Sequence, residues 1–90
     1  MSVIREHYVE IIRNLEPEQV LNFLYQVEII DSGVRDKIRA GTTRRERAEI
    51  LVDSIERRGD NGLKMFIEGL ERSSQKHLAA MLTGKILLEI

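Results

Sequence analysis

The chain has 90 residues, of which 42% are hydrophobic, and this is enough for one small domain with a single core but too little for two. Its 14 basic and 15 acidic residues give a formal net charge of -1, so it lacks the positive field of a dedicated nucleic-acid-binding protein. Cysteine is absent, which excludes disulfide bonds, thiolate zinc sites and cysteine nucleophiles. The charged N-terminal segment resembles neither a signal peptide nor a transmembrane span, and we expect a soluble, cytoplasmic protein.

The first third of the chain contains two apolar stripes at helical spacing. One stripe predicts an amphipathic helix over residues 3–15. Pro17 favours the first turn of a second helix, because its missing N–H group needs no partner there, and the second stripe follows through Val27. Ile29 and Ile30 are then expected to return the chain to the core.

Two capping signals mark the next pair of helices. The side-chain oxygen of Asp31 is expected to cap the N-terminus of a short third helix, and Gly41 is expected to end this helix. Thr43 is followed three residues later by Glu46, a capping-box pattern at the start of a fourth helix that is predicted to end at Gly59. The apolar residues that form the buried stripe of this helix are Ala48, Leu51, Val52 and Ile55.

The last third of the chain predicts two more helices. A GDNG turn at residues 59–62 precedes an apolar set at positions i, i+3, i+4 and i+7. Ser73 or Ser74 is expected to cap the last helix, and Gly84 to end it. Because strand-like alternation and internal repeats are absent, the chain is predicted to be an all-α bundle of six short helices. Residues 85–90 either extend the last helix, begin a linker or lie along the bundle.

Residue signatures of catalysis are missing from the sequence. The two histidines, His7 and His77, have no HExxH motif or cysteine pair beside them, and we interpret them as surface residues rather than metal ligands. The glycines form neither GxGxxG nor GxxxxGK[ST], and their positions suit turns and helix ends. We therefore expect no enzymatic activity, no metal and no cofactor.

Charge is segregated along the chain, although the total is near zero. Residues 16–36 carry five acidic residues against a single basic one, Arg35, which leaves a local net charge of -4. Residues 37–47 carry five basic residues against Glu46, which leaves a local net charge of +4. Such a dipolar molecule favours complementary faces that steer two proteins together.

Two other interpretations of the arginines stay open on pattern alone. They can form an ordinary solvated helix surface with charge pairs four residues apart. Alternatively, the basic cluster at residues 37–47 can bind nucleic acid, although no aromatic platform for base stacking accompanies it. We expect a protein partner rather than nucleic acid or a membrane.

The run RAGTTRRERAEILVDSIERRGDNGLKMFIEGLE, at residues 39–71, resembles the middle of a caspase recruitment domain, a branch of the death-fold superfamily. The residues that match in order and spacing are Thr43-Arg44, Ala48, Leu51, Arg58-Gly59, Phe66 and Leu70. The upstream segment is similar to the family's second and third helices, so the resemblance covers about residues 3–83. Within the family, the chain looks most like an initiator-caspase prodomain or an adaptor or scaffold domain.

The resemblance implies a six-helix antiparallel Greek-key bundle whose first helix is bent or broken. It implies a domain at residues 1–84, with residues 85–90 as a tail or the start of a linker, and no enzymatic activity. The implied function is homotypic binding to caspase recruitment domains of initiator caspases, adaptors or sensors in apoptotic or innate-immune signalling. Self-association into oligomers or filaments, and a role as a decoy regulator, are alternatives within the same family.

The family's best-known contact sets a basic surface of one domain against an acidic surface of its partner. The resemblance and the helical wheel of the fourth helix assign the basic surface to Arg13, Arg44, Arg45, Arg47 and Arg58. The resemblance assigns the acidic surface to Glu18, Glu28, Asp31 and Asp36.

Overall fold

The computed structural model describes residues 3–88, and the side chains of residues 3–84. The helices of this described part are α1 (Val3–Glu6), α2 (Tyr8–Asn14), α3 (Pro17–Gln26), α4 (Ser32–Ala40), α5 (Arg44–Glu56), α6 (Gly59–Arg72) and α7 (Lys76–Leu88). The prediction of an all-helical fold is confirmed for residues 3–88, which form seven helical segments where the sequence predicted six helices. The last two residues of the predicted tail, 89–90, lie outside the described residues.

The core is built around α5. Ala48, Leu51, Val52 and Ile55 are all fully buried, as the predicted stripe requires, and α5 packs against α2, α3, α4 and α6. Phe66 of α6 is the largest fully buried side chain of the described residues. Each large apolar side chain buried in this way contributes about 1.5–3 kcal/mol of transfer free energy. The position of α5 therefore determines where the charged residues on the neighbouring helices lie.

The predicted first helix is interrupted at His7. His7 has φ -115° and ψ 24°, and its N–H donates to the carbonyls of Val3 and Ile4, both at 3.2 Å. The short helix before the break packs against α7, whereas α2 packs against α5. One straight helix cannot bury its apolar face against both neighbours, so the break lets each half bury its own residues.

Side-chain caps begin α4 and α5, as predicted. An Asp31 carboxylate oxygen accepts the N–H of Val34 at 2.9 Å, and the Thr43 hydroxyl accepts the N–H of Glu46 at 3.0 Å. The Glu46 carboxylate accepts the hydroxyl proton of Thr42 at 3.0 Å, so this side chain also stabilises the approach to α5. These bonds fix the first turn of α5, where the basic residues begin.

The junction between α5 and α6 differs from the prediction. The sequence predicted that Gly59 ends the fourth helix and that residues 59–62 form a turn, but α5 ends at Glu56 and Gly59, at φ 62°, already begins α6. A Cβ atom on Gly62 would overlap the carbonyl oxygen of Ile55. The missing side chain at Gly62 therefore allows α6 to start directly against the end of α5.

The prediction that Ser73 or Ser74 caps the last helix is wrong. Ser73 lies at the end of α6, where its hydroxyl donates to the carbonyl of Leu70 at 3.3 Å, and α7 begins after Gln75. The Gln75 side chain is buried and bonds both backbone groups of Glu16: its Oε1 accepts from the N–H at 2.8 Å, and its Nε2 donates to the carbonyl at 3.2 Å. This glutamine joins the α6–α7 connection to the α2–α3 connection.

The prediction that Gly84 ends the last helix is also wrong, because α7 continues through it to Leu88. An added Cβ at Gly84 would meet no atom within 4 Å. We expect Gly84→Ala to raise the free energy of unfolding by about 0.5–1 kcal/mol, because alanine has the higher helix propensity and no contact opposes it. Urea unfolding followed by circular dichroism measures this change. Unchanged or lower stability would indicate that the helix does end at Gly84.

Candidate interaction surfaces

A shallow groove lies between α2 and the first turn of α5. The residues that line it are Tyr8, Val9, Ile12, Arg13, Arg44 and Arg45. Three of the five residues predicted for the basic surface thus share one groove, which we name the basic groove. Val9 is 69% exposed, the highest value among the large hydrophobic residues of the described part. Arginine is enriched at protein–protein interfaces, so the groove is a candidate contact surface.

Arg44 bonds the end of α2 rather than pointing freely into solvent. One guanidinium nitrogen, Nη1, donates to the carbonyl of Ile12 at 3.0 Å and to the carbonyl of Leu15 at 2.8 Å. The last carbonyls of a helix have no partner within the helix, and a cationic donor there also interacts favourably with the helix dipole. The half-buried Arg44 therefore holds α2 against α5 and gives the groove its shape.

Arg13 and Arg45 are the exposed cations of the groove. The Arg45 side chain is 77% exposed, and its Nε lies 3.8 Å from the Glu49 carboxylate, an ion pair that contributes little to stability at such exposure. Arg13 is exposed on α2, and no side chain of residues 3–84 forms an ion pair or hydrogen bond with it. Both guanidinium groups remain available to an acidic partner.

Arg47 and Glu18 form an ion pair within the chain. The sequence assigned these two residues to opposite surfaces, but the structure brings them together, and Arg47 also donates from Nη1 to the carbonyl of Gly41 at 3.0 Å. The Arg47 side chain is 24% exposed. Most of its charge is therefore compensated internally, and Arg47 does not line the basic groove.

Arg58 lies outside the basic groove as well. Its Nε donates to the carbonyl of Ile29 at 3.0 Å, which links the α5–α6 junction to the connection between α3 and α4. Lys37 and Arg39, from the basic cluster at residues 37–47, are exposed on α4. The cluster is thus divided between exposed residues and arginines that bond backbone carbonyls, and it does not present one continuous basic face.

All four predicted acidic residues are exposed, and three of them have partners within the chain. Asp31 caps α4, and Glu18 pairs with Arg47. Glu28 is exposed in the connection between α3 and α4, at φ 65°, and the Asp36 side chain is 72% exposed, 3.8 Å from its neighbour Arg35. We name Glu28 and Asp36 the acidic surface.

Tyr8 lines the basic groove and contacts Asp53 of α5. Its hydroxyl donates to Asp53 Oδ1 at 3.4 Å, and the Arg5 guanidinium lies 5.3 Å from the centre of its ring. Burial raises the pKa of the Tyr8 hydroxyl, and the negative charges of Asp53 and Glu49 raise the pKa further, while Arg5 acts in the opposite direction. Burial is the largest of these causes, and the charge of Asp53 raises the pKa of Tyr8 more than Arg5 lowers it.

We expect Tyr8 to make the protein less stable in alkaline solution. Because its pKa is higher in the folded chain, the unfolded chain loses this proton first, and the stabilisation present below about pH 10 is lost as the pH rises through the folded pKa. Melting temperatures of wild type and Tyr8→Phe, measured between about pH 9 and pH 11, test this expectation. The melting temperature of wild type should fall more steeply with rising pH than that of the variant. Parallel profiles would contradict the expectation.

The histidines and the acidic residues do not assemble a metal site in the part that the structure describes. No group of three or more histidine, aspartate or glutamate side chains that could hold a metal ion occurs there. His7 lies at the helix break, and His77 is exposed on α7. None of the helices between residues 3 and 88 has both the length and the apolar character of a membrane span.

The sequence matches a family model over residues 1–85, and the family is the caspase recruitment domain. Among curated proteins, the chain is similar to Cell death protein 3 of Caenorhabditis remanei, with 31% identity over 68 residues. The aligned part covers 76% of this chain and 13% of that protein. The match to the family model extends from α1 into α7, and the chain belongs to the caspase recruitment domain family.

Proposed function

We propose that the chain binds other caspase recruitment domains through the basic groove, with acidic side chains of the partner facing Arg13 and Arg45. Domains of this family are homotypic protein–protein interaction modules, so a partner of the same fold is the expected ligand. The single observation that carries the proposal is the exposure of Arg13 and Arg45 beside Val9, in a groove whose shape Arg44 fixes from within.

The acidic surface, Glu28 and Asp36, is the part of this chain that we propose to face the basic groove of a second domain. A chain with one basic and one acidic surface can add partners head to tail, which yields an open filament when the rotation between copies does not close a ring. Charge complementarity of this kind increases the association rate and fixes the orientation of the partners more than it increases the affinity. We also propose that the helices follow the family's six-helix Greek-key order, with α1 and α2 as one broken first helix.

The proposed process is the assembly of signalling proteins in cell death. The name of the relative, Cell death protein 3, supports this process for a chain that is 31% identical to part of it. Initiator caspases, adaptors and sensors that carry caspase recruitment domains are the proposed partners, and innate-immune signalling is the alternative pathway. The role proposed for this domain is recruitment, without catalysis.

A binding panel tests the proposed function directly. Purified caspase recruitment domains, with this chain among them, are immobilised, and binding of the chain is measured by biolayer interferometry at low and moderate salt. We expect at least one domain to bind, with weaker binding at higher salt, because the contact depends on exposed charges. Absence of binding to every domain, or binding that salt leaves unchanged, would contradict the proposal.

A further inference from the structure

The charge of the side chains along one side of α5 changes from positive to negative between the first turn and the C-terminal half of the helix. Arg45, Glu49 and Asp53 follow one another at four-residue spacing, so they lie on one side of the helix. Arg45 belongs to the basic groove at the first turn, and the two carboxylates follow it towards the C-terminal end. A partner helix laid along this side of α5 would meet a positive charge first and negative charges next.

Tyr8 separates the two ends of this surface. It lines the basic groove, and it also lines a second depression that is continuous with the C-terminal half of α5. The residues that line this second depression are Arg5, Tyr8, Asp53, Glu56 and Arg57. A protein that covers Tyr8 from the basic groove therefore reaches the edge of the depression that contains the Asp53 carboxylate.

Asp53 lacks a cationic partner, in contrast to its neighbours. Arg5 pairs with Glu56 through two contacts, with Nε 3.1 Å from Oε2 and Nη2 3.1 Å from Oε1. Among the side chains described, Asp53 has only the neutral Tyr8 hydroxyl, at a long 3.4 Å, and no ion pair. Arg5 and Arg57 line the same depression, but neither forms an ion pair with Asp53, so this half-buried carboxylate can attract a cation from a partner and repel an acid.

We propose, on the basis of the proposed function, that the groove selects a partner surface with two opposite charges. A carboxylate of the partner faces Arg13 and Arg45, and an arginine or lysine of the partner faces Asp53. Arg45 and Asp53 are eight residues apart, which corresponds to roughly 12 Å along α5, and the two partner charges need a similar separation. Asp53 is then the residue that discriminates against domains whose facing surface is purely acidic.

The selectivity arises from repulsion as much as from attraction. A partner with acids at both positions gains its contact with Arg13 and Arg45 but places a second carboxylate against Asp53. Exposed charge pairs change binding only modestly, so the preference of wild type for the two-charge surface over the all-acid surface is expected to be roughly threefold. Reversing the charge of Asp53 should invert that preference.

Two helical peptides that imitate the two kinds of partner surface test the proposal. Both are alanine-based, of equal length and long enough to be helical alone. Each carries a glutamate, followed eight residues later by arginine in one peptide and by glutamate in the other. Their affinities for wild type, Asp53→Asn, Asp53→Arg and the control Glu71→Arg are measured by NMR titration, with circular dichroism to verify the fold. Glu71→Arg changes the net charge as Asp53→Arg does, at an exposed position of α6 that does not line either depression.

The expected results differ for each variant. Wild type and Glu71→Arg bind the Glu/Arg peptide roughly threefold more tightly, Asp53→Asn shows no preference, and Asp53→Arg prefers the Glu/Glu peptide. Equal binding of both peptides by wild type, or no binding of either, would overturn the proposal. If the Glu/Glu peptide binds equally well and still shifts amide resonances near Arg13 and Arg45, the two-charge selectivity fails while the proposed function of the basic groove stands.

Discussion

Replacing Arg13 and Arg45 together with glutamate is expected to weaken binding to a second caspase recruitment domain about 100-fold, equal to about 2.7 kcal/mol. Both side chains are exposed in the basic groove, and neither has a strong partner within the described residues. Reversal therefore removes two attractive contacts and places two negative charges against an acidic partner. Because these side chains do not support the core, the helical circular dichroism should remain that of wild type.

A matched control for this double variant changes two lysines elsewhere. Lys64→Glu with Lys76→Glu produces the same change in net charge at exposed positions of α6 and α7, neither of which lines the basic groove. Binding of this control should remain within about threefold of wild type, because distant exposed charges are screened by salt. If the control loses as much affinity as the groove variant, the effect comes from net charge, and the groove has no specific role.

Arg44→Ala is expected to lower the free energy of unfolding by about 2 kcal/mol, although the sequence assigned Arg44 to the contact surface. The reason is the loss of two charge-assisted hydrogen bonds to the carbonyls of Ile12 and Leu15, which water can replace only in part because the site is half-buried. The neighbouring Arg45→Ala should change stability by less than about 0.5 kcal/mol. Urea unfolding of both variants, followed by circular dichroism, measures the difference.

Equal stability of the two alanine variants would refute this structural role for Arg44. The result also decides how binding data on this residue are interpreted. A charge reversal at Arg44 would disturb the end of α2 and the shape of the groove together, so a loss of binding in that variant could come from partial unfolding. Arg13 and Arg45 are the cleaner positions for a test of binding.

The helices that depend on local signals could be predicted from the sequence. Pro17 begins α3, and the caps at Asp31 and Thr43 begin α4 and α5, because each signal acts on backbone groups within three residues of itself. The buried stripe of α5 was equally clear, since its apolar residues repeat at helical spacing beside charged ones.

The errors concern positions where distant contacts decide the backbone. The apolar spacing indicated one continuous first helix, and only the family resemblance implied the break that the packing of α1 and α2 against different partners places at His7. At the α5–α6 junction, Gly59 and Gly62 were interpreted as turn residues, whereas both lie within α6. Gly59 adopts the left-handed backbone conformation at φ 62°, and Gly62 allows the close approach of α6 to the carbonyl of Ile55 in α5. Glycine is a residue type that often follows the end of a helix, but Gly84 lies within α7. Its low helix propensity alone was therefore a weak indicator of where the helix ends.

For the same reason, the sequence could predict only in part where the residues of the proposed interaction surfaces lie in the fold. The sequence correctly placed arginines near the start of the fourth helix, but it could not show which of them bond backbone carbonyls. The pair between Arg47 and Glu18 joins residues that are 29 positions apart, a contact without any local sequence signal. The exposure of each charge, which depends on the folded chain, distinguishes the arginines that we propose as contact residues from those that bond backbone carbonyls.

The most direct test of the central claim is to map the contact on the chain by NMR. Isotope-labelled chain is titrated with a domain that binds in the panel, and shifts of the backbone amide resonances are followed residue by residue. We predict the largest shifts in α2 and the first half of α5, around Arg13 and Arg45, when the chain receives an acidic partner. Shifts confined to α6 and α7, with α2 and α5 unaffected, would contradict the proposal that the basic groove is the binding surface.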